Sequence, residues 1–284
     1  MDQLLPLPVS MKGKLVVITG AGGVLCSMFA EAVARAGARV ALINRTYNKA
    51  RIVADRIVAV GGEAIAYGAD VLDNNKLAEV HNQILKELGP CDVLINGAGG
   101  NNQGATTSDE YYLHGSTDLD TRNFFVLDLK SIESVFNNNF QSAFMATQVF
   151  AKDMLGRHGC SVINVSSMNA YTPLTKIPAY SAAKAAVSNF TQWLAVYLSK
   201  TGIRVNAIAP GFFSTEQNRE LLYSADGTPT QRTEKILAAT PMGRFGESKE
   251  LIGTLLYLLS PEASGFVTGV VIPVDGGFSA YSGV

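Results

Sequence analysis

Cysteine is scarce: Cys26, Cys91 and Cys160 are the three in 284 residues, too scattered for a disulfide framework or a metal-ligand spacing. His81, His114 and His158 form no cluster either, so no bound metal is expected. Net charge is nearly absent, with Lys+Arg 23 against Asp+Glu 24 and no basic run, which argues against a nucleic-acid partner. No apolar run reaches membrane length, so no membrane association is expected. Residues 1–12 contain Leu4-Leu5-Pro6-Leu7-Pro8 but lack the basic head and long apolar segment of a secretory leader. The remaining expectation is a cytoplasmic protein that acts on a small molecule. With 47% hydrophobic and 17% charged residues, the chain suits one large domain with modest elaborations.

What is present is an alternation of strand and helix patterns. Lys14-Leu15-Val16-Val17-Ile18-Thr19 reads as a strand, Gly20-Ala21-Gly22-Gly23 as a tight turn, and residues 24–36 as a helix. Glycines let a backbone approach a phosphate, and a helix N-terminus offers free N–H groups and partial positive charge. Gly20, Gly22 and Gly23, with Val24 and Leu25 opening the helix, are therefore candidates to hold a dinucleotide. The next strand, 39–43, ends in Asn44-Arg45, where an NAD site carries an acid for the ribose hydroxyls. Arg45 fits the 2′-phosphate of NADP, while Asn44 can bond the ribose of NAD, and both cofactors stay open.

A strand over 63–68 followed by Asp70-Val71, a helix over 77–88, and a strand over 92–95 closed by Asn96-Gly97-Ala98-Gly99-Gly100 continue the pattern. Repetition with short turns argues for an α/β architecture, a doubly wound parallel sheet with helices on both faces, in three αβα layers. Ligands of such sheets sit at the carboxyl ends of the strands. The Gly20 turn, Asn44-Arg45, Asp70, Asn96 to Gly99, and Ser167 after Ile163-Asn164-Val165 all fall there.

Tyr180 and Lys184 are four residues apart in a helical pattern, so both project from one face. A neighbouring ammonium favours the tyrosinate and lowers a phenol pKa from about 10, making Tyr180 a usable general acid/base. Ser167 can hydrogen-bond the same substrate oxygen. Such a Tyr/Lys spacing also occurs on ordinary helices, so its neighbours must carry the reading.

Thr19-Gly20, Asp70, Asn96-Gly97-Ala98-Gly99, Asn139, Ser167, Tyr180 with Lys184, Pro210-Gly211 and Val274-Asp275-Gly276-Gly277 together resemble the short-chain dehydrogenase/reductase family over residues 14–278. The resemblance implies a single Rossmann-type domain over 1–284 with a seven-stranded parallel sheet and a nicotinamide cofactor, NAD or NADP. It implies Asn139, Ser167, Tyr180 and Lys184 as the catalytic set, Asn139 supporting a water-mediated proton relay and Lys184 also holding the nicotinamide ribose. It extends the cofactor lining to Asn96, Ala98, Gly99, Pro210, Gly211, Phe213 and Thr215. It further implies a homotetramer built on helices at 131–157 and 179–200 and on the 270–284 stretch. Three positions depart from the family pattern. Val24 and Cys26 replace two turn glycines, Cys26 being read as packing, and Gly97 replaces an asparagine, leaving Asn96 as the structural hydrogen-bonder.

An insertion over about 100–127 separates Gly99 from Asn139, far longer than an ordinary strand-to-helix connection. It reads as polar with Tyr111, Tyr112 and His114 interleaved, either a wall beside the site or a surface or subunit contact. Asn101, Asn102, Asn169, Thr175 and Lys176 suit hydroxyls and a carboxylate better than an acyl chain. By the same resemblance, 212–240 is a loop closing on cofactor and substrate, in which Arg219 and Arg232 are either carboxylate ligands or solvated helix-face residues.

A finer resemblance rests on Gly22-Gly23-Val24-Leu25-Cys26, the insertion, and Ser166-Ser167-Met168-Asn169-Ala170-Tyr171 before Pro178-Ala179-Tyr180. These are similar to the D-mannonate oxidoreductase (fructuronate reductase) group within that family. That implies reversible hydride transfer to a keto sugar acid in hexuronate metabolism, usually with NAD, against the indication of Arg45. The alternatives are a 3-oxoacyl reductase or another sugar or polyol dehydrogenase of the family. A non-catalytic dinucleotide-binding protein is disfavoured by the complete catalytic set.

Overall fold

The computed structural model describes residues 9–113, 122–214, 222–224 and 226–283. Seven strands, β1 (Leu15–Thr19), β2 (Arg39–Asn44), β3 (Glu63–Gly68), β4 (Val93–Asn96), β5 (Cys160–Val165), β6 (Ile203–Pro210) and β7 (Val271–Val274), form one sheet in the order β3-β2-β1-β4-β5-β6-β7. Every pairing is parallel. The central strands are apolar on both faces because both faces are covered. In β1, Val16 and Ile18 join one core with α1 (Val24–Arg35), α2 (Tyr47–Ala59) and the helix Glu250–Leu259. Leu15 and Val17 join the other, with α3 (Asn74–Glu87), α5 (Ser142–Phe150) and α6 (Pro178–Tyr197). Pro273 is tolerated because β7 is an edge strand, where one missing N–H leaves no partner unpaired. Strand order reverses between β1 and β4, opening a crevice at their carboxyl ends.

Two helices differ from expectation. α3 begins earlier, at Asn74, because the Asp73 carboxylate accepts from the Asn75 and Lys76 N–H groups and caps it. The helix expected over 131–157 is broken into α4 (Leu129–Phe136), a π-helical turn (Asn137–Gln141) and α5, followed by a tight turn at Ala151–Met154. The Asn139 side chain sits at that turn, donating to Val135 O at 2.7 Å and to Gly100 O at 2.7 Å.

The described residues of the insertion, 100–113 and 122–127, present more apolar surface than expected. Its base is packed, with Ala105 fully buried against Val135, Ala179 and Ala183. Its outer part exposes Tyr111, Leu113, Phe124 and Phe125, and Tyr112 meets Phe125 edge to face at 5.4 Å. Among the described residues the expected polar wall carries an aromatic rim, with Asn101, Gln103, Asp109 and Arg122 also exposed. Thr107 N donates to Lys176 O at 2.8 Å, tying the insertion to the segment before α6. Among the described residues, no helix is long and apolar enough to cross a membrane.

Candidate active site

The first turn is built for close approach. Gly20 has φ 65°, and a Cβ there would stand 2.8 Å from the Ala98 backbone, so the turns after β1 and β4 lie against each other. Gly23 opens α1 with no side-chain cap, leaving the first helical N–H groups for a ligand. A cleft of about 400 Å³ runs from Gly20, Gly22 and Gly23 past residues 43–46 and 69–71 to Gly97, Ala98, Gly99 and Asn101. A glycine cradle on an uncapped helix N-terminus fits a dinucleotide pyrophosphate.

At the far end of that cleft, Asn44 Oδ1 accepts from Gly22 N at 3.3 Å and Asn44 Nδ2 donates to Thr46 O at 2.9 Å, so both ends of its amide are engaged within the protein. Arg45 Nη1 lies 4.0 Å from Asp70 Oδ2, and Asp70 Oδ1 also accepts from Leu72 N at 3.0 Å. Val71 lines this cleft, whereas Val24 and Leu25 lie on α1 outside its lining.

Two of the departures from the family pattern, Cys26 and Gly97, are one structural fact. A Cβ at Gly97 would fall on the Cys26 sulfur. Cys26 is buried on α1, and burial pushes its thiol up to about 12, with Lys184 acting weakly the other way. The neutral sulfur takes the room that a side chain at 97 would need. Asn96, buried at the end of β4, donates to Thr147 Oγ1 at 2.9 Å and to Asn164 Oδ1 at 2.8 Å, a link between β4, α5 and β5.

β5 delivers the reactive residues. Ser167 follows that strand in extended backbone and caps the short turn Met168–Ala170, its Oγ accepting from Asn169 N at 3.3 Å. Its hydroxyl is close enough to Tyr180 to lower the phenol's pKa. One turn along α6, Lys184 Nζ donates to Val165 O at 2.8 Å and lies 5.7 Å from the Tyr180 ring centroid. Gly99 is the meeting point, since a Cβ there would come within 2.6 Å of Asn139 Oδ1 and 3.3 Å of Lys184 Nζ. The structure thus brings Asn139, Ser167, Tyr180 and Lys184 together at the ends of β4 and β5.

The electrostatics correct one expectation. Burial holds Tyr180 above the ordinary phenol value, and the Ser167 hydroxyl pulls it back in part. Lys184, whose ammonium donates to Val165 O and faces the ring, does not offset that effect of burial. Burial lowers Lys184 itself to about 8, with a small opposing effect from Cys26.

Other candidates are dispersed. Asn101 lines the nucleotide cleft and donates to Thr106 Oγ1 at 3.1 Å. Asn102 caps the turn Gln103–Ala105 by accepting from Gly104 N at 2.9 Å, a structural use of its amide. Asn169 is buried behind Ser167, and its Oδ1 has no partner. Gly211 N donates to Val274 O at 2.9 Å where β6 ends at Pro210. The Phe213 ring is packed in the core and against Gly246. Thr215 and Arg219, like His114, lie outside the described residues.

Lys176 and Arg232 do converge. Both line a second cleft of about 330 Å³ bounded by segments that follow β4, β5, β6 and β7. Thr175, Phe212 and Phe278 line it too. Two further charged residues there, Glu110 and Lys235, escape a reading of the sequence; they pair at 2.8 Å. Lys235 has a signal in its i,i+3 spacing from Arg232, but Glu110 has none, since its partner is 125 residues away.

The model for short chain dehydrogenases matches residues 14–225, and the protein belongs to that family of oxidoreductases. Two relatives match nearly end to end. An uncharacterized oxidoreductase of Haemophilus influenzae is 58% identical over 275 residues, 97% of this chain and 96% of its own. The uncharacterized oxidoreductase UxuB of Bacillus subtilis is 52% identical over 281 residues, 99% and 100% of the two chains. A crystal structure from Haemophilus influenza, described as a "putative D-Mannonate oxidoreductase" with bound NAD, is similar at TM-score 0.95 and 58% identity, covering 97% of this chain and 98% of that one.

Proposed function

We propose that this protein reversibly reduces the ketone of a keto sugar acid with NAD(H), the substrate pair being D-fructuronate and D-mannonate. The carrying observation is the gathering of Asn139, Ser167, Tyr180 and Lys184 at the ends of β4 and β5, with Asn139 and Lys184 both against Gly99, together with a glycine-lined nucleotide cleft and a second cleft with a cationic rim. Gly20, Gly22 and Gly23 would hold the pyrophosphate, Asn44, Arg45, Asp70 and Val71 the adenosine end, and Lys184 the second ribose. The bound nicotinamide would supply or accept the hydride.

This protein's own groups manage the oxygen. Ser167 donates a hydrogen bond to the substrate carbonyl and fixes its position. Tyr180 gives its phenolic proton to the oxygen as the alkoxide develops, and takes it back in the oxidation direction. Lys184, held by Val165 O, fixes the base of this group, and Asn139 holds the Gly100 main chain that borders it.

NAD is favoured because Arg45 already has a carboxylate partner in Asp70 and because the 58%-identical structure holds NAD. A 3-oxoacyl reductase is the second reading, favoured by Leu174, Ile177, Phe212 and Ile236 in the second cleft. A cytoplasmic homotetramer of one-domain subunits completes the proposal. Its helix interface is supported by the exposed Trp193, Val196 and Tyr197 on α6, where the two rings stack at 4.9 Å.

The test is oxidation of NADH and of NADPH, followed by absorbance, with D-fructuronate, a neutral ketose and a 3-oxoacyl thioester. Turnover confined to fructuronate supports the proposal. Turnover confined to either alternative overturns the substrate while leaving the reductase chemistry.

A further inference from the structure

Four charged side chains from three separate segments meet in the second cleft: Glu110 from the insertion, Lys176 before α6, and Arg232 and Lys235 on the helix Gln231–Ala238. Three cations face one carboxylate, so the lining carries uncompensated positive charge. The walls beside them are apolar, including Ile177, Phe212 and Phe278. Low-dielectric walls strengthen the pull of those cations on an entering anion.

Lys176 has a feature no other described non-glycine residue shares, a left-handed backbone with φ 71°. That conformation is unfavourable for a residue with a long side chain, and it is held by the hydrogen bond from Thr107 N to Lys176 O. Ile177, the next residue, is the N-cap of α6, which carries Tyr180 and Lys184. The main chain thus fixes the origin of this ammonium relative to the reacting end of the site. Opposite it, Lys235 Nζ bonds Glu110 Oε1 at 2.8 Å, so an internal carboxylate already occupies one cation.

We infer that Lys176 and Lys235 bind the carboxylate of the substrate, and that Glu110 is the internal carboxylate that the substrate displaces from Lys235. This rests on the reading of the protein as a keto sugar acid reductase. It makes the cleft selective for an anion at one end of a polyhydroxy compound. It also links the insertion to substrate entry, because the Glu110–Lys235 pair joins the insertion to the helix that closes the cleft. Neutral sugars have nothing to exchange for that ion pair. An acid can replace it charge for charge.

The test uses the full-length protein with NADH, comparing Lys176→Gln, Lys235→Gln and Glu110→Gln with the unaltered protein. KM and kcat are measured for D-fructuronate and a neutral ketose, and binding of D-mannonate and mannitol by calorimetry. Each lysine variant is expected to raise KM and Kd for the acids about tenfold, the loss of one charge-assisted contact, with kcat changing far less. Glu110→Gln is expected to lower KM for the acid, since the competitor is gone. Lys176→Arg should restore most of the acid affinity. Lys176→Gly should keep or raise Tm, because glycine relaxes at this φ, while still raising KM.

Equal losses for acid and neutral ligands, or a rise in KM with Glu110→Gln, would overturn the assignment. If the unaltered protein reduces fructuronate and the lysine variants keep its KM, the carboxylate site falls and the reductase reading stands. If fructuronate is not reduced but D-mannonate binds in a Lys176-dependent way, the reading falls and the anion site stands.

Discussion

Adding one methyl group at Gly97 tests whether the glycine and Cys26 form a coupled pair. In Gly97→Ala the new Cβ would overlap the Cys26 sulfur and sit 3.1 Å from Thr19 O. Neither neighbour can yield cheaply: Cys26 is buried in α1 among Phe29 and Ala30, and Thr19 O belongs to β1. Overpacking of this kind costs about 1–3 kcal/mol. The shift would also reach Thr19 Oγ1, which accepts from Gly97 N at 3.2 Å and Ala98 N at 3.4 Å and so holds the turn bordering the nucleotide cleft.

Removing the sulfur in Cys26→Ala should cost about 1 kcal/mol by itself, through lost burial and a small void. The double variant places the new methyl in the room the sulfur left, so it should be more stable than Gly97→Ala alone. A coupling of about 1–2 kcal/mol is expected from the four-member cycle, read by denaturant unfolding. In Tm each kcal/mol is worth about 2–4 °C for a protein approaching this size. Additivity within about 0.3 kcal/mol would show that the two departures are independent and refute the steric account.

Tyr180→Phe should abolish turnover and leave cofactor affinity nearly unchanged; retained turnover would remove Tyr180 as the proton donor. Lys184 titrates near 8 in the folded protein against an ordinary 10.5, so burial of its ammonium destabilises the fold below about pH 8. As pH rises from about 8 to 10.5 that penalty is relieved, and stability relative to Lys184→Met should rise by on the order of 3 kcal/mol. A flat or falling difference in urea titrations across this window would contradict the buried-ammonium account. Arg45→Ala should change KM for NADH less than about threefold, since the arginine is exposed and shared with Asp70. A selective loss above tenfold for NADPH would instead make Arg45 a phosphate reader.

The strand pattern and its order of motifs were legible because the signals are local. Apolar β-branched runs, glycine turns and helical periodicity depend on neighbours a few residues away, and they placed β1 to β4 within about two residues. Ser167 was legible at the site because a parallel sheet puts every strand's carboxyl end on one rim, Tyr180 and Lys184 because of their helical spacing, and Asn139 only through the family resemblance. The π-helical turn was not legible, because it is accompanied by Asn139 bonding to Gly100, 39 residues earlier.

The internal bonds of two substrate candidates were not legible either. Asn101 and Asn102 have the chemistry of substrate ligands, but short-range bonds to Thr106 and Gly104 engage them within the protein. The aromatic exposure of the insertion and the Glu110–Lys235 pair depend on how distant segments lie against one another. The amino-acid sequence by itself determined the sheet, the glycine cradle and the Tyr180–Lys184 spacing, since these follow from backbone geometry and short-range periodicity. Only the tertiary structure decided that Cys26 fills the room above Gly97, that Lys184 faces the Tyr180 ring while bonding Val165, and that three cations share one cleft. Those outcomes depend on which distant side chains compete for the same few ångströms, and that is settled by packing.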